Sequence, residues 1–261
     1  TFSILERLQF AFYGTVTYLQ KLIAPIDLSC FYPYPRLNEA GMLPIMYYLA
    51  PVIALALLYL VYRSIRHTRV VLFGTLFFFF TIALVLQFFP VGPNIITDRY
   101  TYVPYIGVFF IIGSGFAYIQ DNFTKERKAF TTLFAVFVIG LFSYLSYQRC
   151  HVWKNSETLW TDVISKYPNT SEGYLNRGQY FTDNDQFDKA LADYNVTLQL
   201  NPRTTLAFIN RGNVYGRQGM FELALADYTR AIALDPKASK VYLNRGNVYG
   251  MQGKIDSSIA D

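Results

Sequence analysis

Asp98, Arg99, Tyr100 and Tyr102 stand together in the stretch PVGPNIITDRYTYVPYIG, residues 90–107. A guanidinium beside phenols suits a phosphate, because it donates two parallel hydrogen bonds and keeps its charge at any physiological pH. The stretch is pinned between two apolar runs, 70–89 and 103–119, so the phosphate it suggests is that of a lipid head group. An interfacial anchor, with Arg99 paired to Asp98 and the tyrosines in an aromatic belt, fits the same residues. A second set lies in the C-terminal half, where Asn176, Asn210 and Asn244 recur 34 residues apart, joined by Asn213 and Asn247. An amide both donates and accepts, which suits holding an extended peptide backbone without reading its side chains. Alternatively, Asn-Arg-Gly is a local solution for solvating and packing helices.

Other reactive side chains offer less. Cys30 and Cys150 have no metal-ligand spacing and no histidine cluster nearby, so no metal site is assigned. They are equally readable as a disulfide or as two thiols. His67 sits among Arg63, Arg66 and Arg69 and belongs with them. No cofactor is identifiable.

The elements that position these residues fall into two halves. Before Gln148 there are 10 basic and 6 acidic residues; from Gln148 onward there are 13 and 12. The whole chain has 261 residues, 52% of them hydrophobic, with a net charge of +5. The first half reads as a transmembrane domain of about five helices, drawn at 5–24, 43–62, 70–89, 103–120 and 129–147. Each approaches the roughly 20 residues needed to cross a bilayer, and the first also suits a helix lying in the interface. Arginines 63, 66 and 69, and Lys125, Arg127 and Lys128, occupy short connections, where basic residues mark the cytosolic side. That accounts for the positive balance without nucleic acid. The loop 25–42, the loop 90–102 and everything after Tyr147 then face the other compartment. The loop 25–42, with Pro33, Pro35 and interleaved aromatics, either caps the bundle or walls a cavity with Asp98 and Arg99.

The second half repeats itself. Gly178, Gly212 and Gly246 are spaced by 34 residues within EGYLNRGQYF, AFINRGNVYG and VYLNRGNVYG, the signature of stacked helical hairpins. Gly178 and Gly212 permit close packing of first on second helix, Ala190 and Ala224 fill the small position, Tyr194 and Tyr228 follow, and Pro202 and Pro236 end the units. The expected fold class is all-α: a membrane helix bundle followed by a tetratricopeptide solenoid. The boundaries are 1–147 for the bundle, 148–170 for a junction and half repeat, 171–204 and 205–238 for two repeats, and 239–261 for a third that is cut short. The chain reads as a fragment at both ends, with further repeats or a cap following. Asn169-Thr170-Ser171 and Asn195-Val196-Thr197 would accept glycans only in a eukaryotic lumen.

LSCFYPYP after the first helix, DRYTYVPYIG before the fourth and VWKNSETLW at the junction resemble the transmembrane and TPR-containing O-mannosyltransferases and their bacterial relatives. The resemblance implies a GT-C glycosyltransferase that takes sugar from a polyprenyl-phosphate carrier and delivers it to a polypeptide acceptor outside the cytosol. It implies that Arg99, with Asp98, Tyr100 and Tyr102, holds the carrier phosphate. It also implies a catalytic carboxylate in a first external loop upstream of Thr1, so no residue of this chain is assigned as catalytic. The expected location is an integral membrane protein of a bacterial inner membrane with periplasmic repeats, or of the endoplasmic reticulum with lumenal ones. The alternative is a non-catalytic membrane scaffold whose repeats gather protein partners.

Overall fold

The computed structural model describes residues 3–35, 37–86 and 94–261, and of Arg99 the backbone alone. It divides into two compact units, Thr1–Tyr147 and Gln148–Asp261.

The first unit carries α1 (Ile4–Ile23), α2 (Met46–Ser64), α3 (Val70–Ala83), α4 (Pro104–Asn122) and α5 (Lys125–Cys150), with two short strands, β1 (Tyr32–Pro33) and β2 (Asn94–Ile96). A capping box starts α1: Glu6 N–H donates to Ser3 Oγ, and Ser3 N–H donates back to Glu6 Oε2 at 2.7 Å. Phe10, Ala11, Gly14, Thr17 and Tyr18 are buried along one stripe of α1, the helical period at work. Part of that stripe meets α2, where Phe10 packs edge-on to Tyr47 and Tyr13 stacks on the same ring at 4.1 Å. Pro104 opens α4, since a first-turn residue needs no backbone donor.

Helices α3 and α4 cross backbone on backbone. A Cβ on either Gly74 or Gly107 would lie within van der Waals overlap of the other's carbonyl oxygen, so only glycine permits the approach.

All five apolar segments drawn from the sequence fall on helices, but their reach differs. The third ends at Ala83 instead of Phe89, and residues 87–89 lie outside the described ones. Its 14 residues rise about 21 Å at 1.5 Å each, short of a hydrocarbon core of roughly 30 Å. Among the described residues, α2 and α5 are the helices long and apolar enough to cross a membrane by length and composition. Two spans, not five, meet that standard.

The second unit stacks α6 (Ser156–Lys166), α7 (Ser171–Asp183), α8 (Phe187–Leu200), α9 (Thr205–Arg217), α10 (Phe221–Leu234), α11 (Ser239–Met251) and α12 (Ile255–Ala260). The hairpins α7–α8, α9–α10 and α11–α12 turn at Asp185, Gly219 and Gly253, all left-handed and all at one phase of the 34-residue repeat. A second helix from a preceding hairpin is supplied by α6: Val163, Thr197 and Ala231 share a phase on α6, α8 and α10, and each is fully buried. Asn155 caps α6 through Thr158 N–H at 2.9 Å. Among the described residues no disulfide is present; Cys150 is exposed and Cys30 partly buried.

Candidate functional site

In the first unit the loop after α1 folds onto the turn before α4. Tyr32 pairs with Ile96 across β1 and β2, which brings the loop against Asp98. Tyr32 Oη donates to Asp98 Oδ1 at 2.9 Å, and the Ser29 N–H donates to Asp98 Oδ2 at 3.1 Å and to Tyr32 Oη at 2.8 Å. Ser29 and Tyr32 are buried. Next to this knot Lys21 Nζ sits 4.9 Å from the centre of the Tyr32 ring and donates to the carbonyls of Ile26 and Asp27. The Thr97 N–H donates to Tyr18 Oη at 3.0 Å, and Tyr105 Oη donates to Tyr18 O at 2.7 Å, which ties the DRYTY turn to α1.

The four predicted phosphate residues are therefore placed unequally. Asp98 faces inward and holds the two loops together. Tyr100 is exposed, and Tyr102 is exposed to 77%. The Arg99 side chain lies outside the described residues.

In the second unit the asparagines occupy the first helices, as expected from phase, and they are not equivalent. Asn176 is exposed and donates to Glu172 O one turn back at 2.7 Å. Asn210 is partly buried on α9. Asn213 Oδ1 accepts from Tyr228 Oη at 2.7 Å and from Asn244 Nδ2 at 2.9 Å, so α9 and α11 touch through their amides. Asn247 is exposed on α11. The close approach foreseen at Gly178 and Gly212 is present: an added Cβ would meet Tyr194 or Tyr228 Cε1 at 2.8 Å. Burial pushes both tyrosine hydroxyls up to about 12, so they remain neutral donors and acceptors.

The arginine between each asparagine and glycine was not singled out in the sequence, and it is the most regular feature here. Arg177, Arg211 and Arg245 each grip the aspartate 16 residues on, Asp193, Asp227 and Asp261, with two side-chain nitrogens on two oxygens. Each also sends Nη1 to the residue 16 positions before it, Thr161, Asn195 or Thr229, on the second helix of the preceding hairpin. One guanidinium thus joins three helices. Hydrogen bonding to the carboxylate holds each arginine pKa further above its usual value. The exact interval of 16 on both sides was the available signal.

At residues 205–238, and again at 227–260, the chain matches the tetratricopeptide repeat family. No curated protein matches it. Among solved structures it is similar to the crystal structure of MamA, with 23% identity over 40% of this chain and 61% of that one and a TM-score of 0.38. It is also similar to YrrB, described as a TPR protein with an unusual peptide-binding site, at 21% identity over 36% of this chain and 48% of that one, TM-score 0.35. A third is the second TPR of Spaghetti (RPAP3) bound to an HSP90 peptide, at 24% identity over 37% of this chain and 90% of that one, TM-score 0.35. The chain spans less than two thirds of the length of MamA and YrrB. Its C-terminal unit contains tetratricopeptide repeats.

Proposed function

We propose that this chain is a membrane-anchored scaffold whose repeats hold an extended polypeptide on the surface made by α7, α9 and α11. The observation that carries the reading is the pair of tetratricopeptide repeat matches, over residues that set amides at one phase of successive first helices. Amides suit a main chain, which presents donors and acceptors whatever its sequence. The anchor is supported by α5, which buries none of its residues and leaves Phe130, Leu133 and Phe137 each more than 60% exposed. Apolar surface of that extent is stable against lipid or protein and costly in water. The test is to display a random dodecapeptide library against the whole chain in detergent micelles. Retained peptides should lose binding when Asn176, Asn210, Asn213, Asn244 and Asn247 are all changed to Ala; unchanged retention moves the binding surface elsewhere. Alkaline carbonate should leave the chain in the membrane pellet, and its release would remove the anchor.

A second reading, a GT-C glycosyltransferase using a polyprenyl-phosphate sugar, is favoured by one observation. The two loop motifs that carry the resemblance, LSCFYPYP and DRYTYVPYIG, are joined through Tyr32 and Asp98. In this reading Arg99, Tyr100 and Tyr102 take the lipid phosphate, Asp98 orders the loop beneath them, and the repeats present the acceptor at raised local concentration. Arg99→Ala in the intact protein should abolish sugar transfer at unchanged expression, and wild-type turnover in that variant would exclude the phosphate role.

A further inference from the structure

Helices α4 and α5 are clasped where they meet. Gln120 Nε2, near the end of α4, donates to Lys128 O at 3.2 Å and to Thr132 Oγ1 at 3.1 Å on the first turns of α5. Away from that clasp the two helices leave each other uncovered: among the described residues α4 buries Pro104 and Gly107, at its far end, and α5 buries none. A Cβ at Gly113, Gly115 or Gly140 would meet no atom within 4 Å. The pair is joined at the turn and open beyond it, and at the joined end lies a cavity of about 550 Å³.

Ile119, Phe123, Phe130 and Thr131 line this cavity, and its charged lining residues are Glu126 and Arg127, one of each sign. Thr131 is already engaged, since its hydroxyl donates to Arg127 O at 2.9 Å. The Arg127 guanidinium sits 5.1 Å from the centre of the Phe123 ring. Among the described residues, neither it nor Glu126 is in an ion pair. Phe134 stacks on Phe130, so aromatic surface continues from the cavity along α5. The 26 residues of α5 rise about 39 Å, more than a hydrocarbon core of roughly 30 Å. Its first turn, with Glu126 and Arg127, therefore reaches the head-group layer.

Two opposite charges left unjoined at an apolar cleft complement a ligand that carries both signs itself, on an apolar chain. A guanidinium suits a phosphate, through two parallel hydrogen bonds. A carboxylate suits a primary ammonium, which has three hydrogens to donate. We propose that the α4–α5 cavity binds a zwitterionic aminophospholipid of the phosphatidylethanolamine class, with Arg127 on its phosphate, Glu126 on its ammonium and an acyl chain along Phe123, Phe130 and Phe134. Phosphatidylcholine fits less well, because its quaternary ammonium has no hydrogen to give Glu126. Phosphatidylglycerol brings a negative charge and no cation to meet that carboxylate. The site rests on the membrane-anchor reading above and adds one lipid held at one place.

The test places the whole chain carrying Phe130→Trp in phosphatidylcholine bilayers doped with an equal small fraction of brominated phosphatidylethanolamine, phosphatidylcholine or phosphatidylglycerol. Phe130 is 69% exposed, so the indole reports without repacking a core. With the signal of Trp153 and Trp160 in the parent subtracted, the brominated ethanolamine lipid should quench roughly threefold more than either other lipid. Glu126→Gln should erase that lead, Arg127→Met should bring all three lipids to one level, and Lys125→Met should keep the lead. Equal quenching by the three lipids, a lead that survives Glu126→Gln, or a lead lost in Lys125→Met overturns the site and leaves the anchor standing. A chain that does not float with the bilayers overturns both.

Discussion

Arg211 and Asp227 meet side by side, Nε on Oδ2 and Nη2 on Oδ1, both at 2.8 Å, with the carboxylate almost fully buried. Removing the guanidinium would leave a buried charge uncompensated. Arg211→Ala should therefore cost about 3–5 kcal/mol, the scale for breaking one side of such a pair. Hydrogen exchange of the intact chain should show α9 and α10 losing protection first, and a loss under about 1 kcal/mol would mean the pair is solvated in solution.

Gly212→Ala should destabilise the second hairpin by roughly 1–3 kcal/mol, because the added methyl lands 2.8 Å from the Tyr228 ring. Urea unfolding reads the loss. A variant as stable as the parent would show that the hairpin opens at little cost.

Asp185 holds a left-handed backbone where the other two hairpins use glycine. Its ion pair with Arg217 is exposed on both sides, and exposed pairs contribute about 0–1 kcal/mol. Relieving the backbone is worth a comparable amount. Asp185→Gly should leave stability equal or up to about 1 kcal/mol higher, and a clear loss in thermal unfolding would show that the Arg217 contact dominates.

Tyr32→Phe removes the hydroxyl that Asp98 accepts from. A hydrogen bond to a charged group is worth about 1.5–3 kcal/mol, so a double-mutant cycle of Tyr32→Phe with Asp98→Asn should report a coupling of that order. Additive effects would show that the Tyr32–Asp98 hydrogen bond contributes nothing to holding the two loops together.

Two pH windows follow. Burial raises the Asp162 carboxyl, but hydrogen bonds from Arg149 and then Lys166 outweigh it and leave the pKa below its usual value. The stabilisation is present above the unfolded carboxyl pKa, about 4, and is lost as pH falls through the lower folded value. Arg149→Met should weaken this acid dependence, and Arg149→Met with Lys166→Met should remove it. Tyr194 and Tyr228 behave oppositely: raised to about 12 by burial, they stabilise fully below the unfolded value of about 10 and lose this as pH rises toward 12. Ultraviolet titration of Tyr194→Phe against the parent checks it, and a parent-minus-variant difference centred near 10 would contradict the burial.

Much of this was legible in sequence because it is local or periodic. Apolar runs gave α1 to α5, and the 34-residue period gave the hairpins and the half repeat at α6. What escaped was set by partners far along the chain. Ser29 and Tyr32 reach Asp98 across more than 60 residues, so Asp98 looked available for a ligand. The shared phase of Asn176, Asn210 and Asn244 likewise suggested one ladder, whereas Asn176 turns back to Glu172 O and Asn244 reaches Asn213.

Near-identical units stacked in a row carry a hazard of their own, since a hairpin can be offered the wrong neighbour and the array can slip by one frame. The Arg177, Arg211 and Arg245 grips are alike and cannot tell one frame from another. The contacts that differ can: Arg217 with Asp185 occurs at one step, and Asn213 with Asn244 at the next. A slipped array would set Asp185 against Met251 and leave Arg217 without its acid, so these mismatched teeth favour one neighbour for each hairpin.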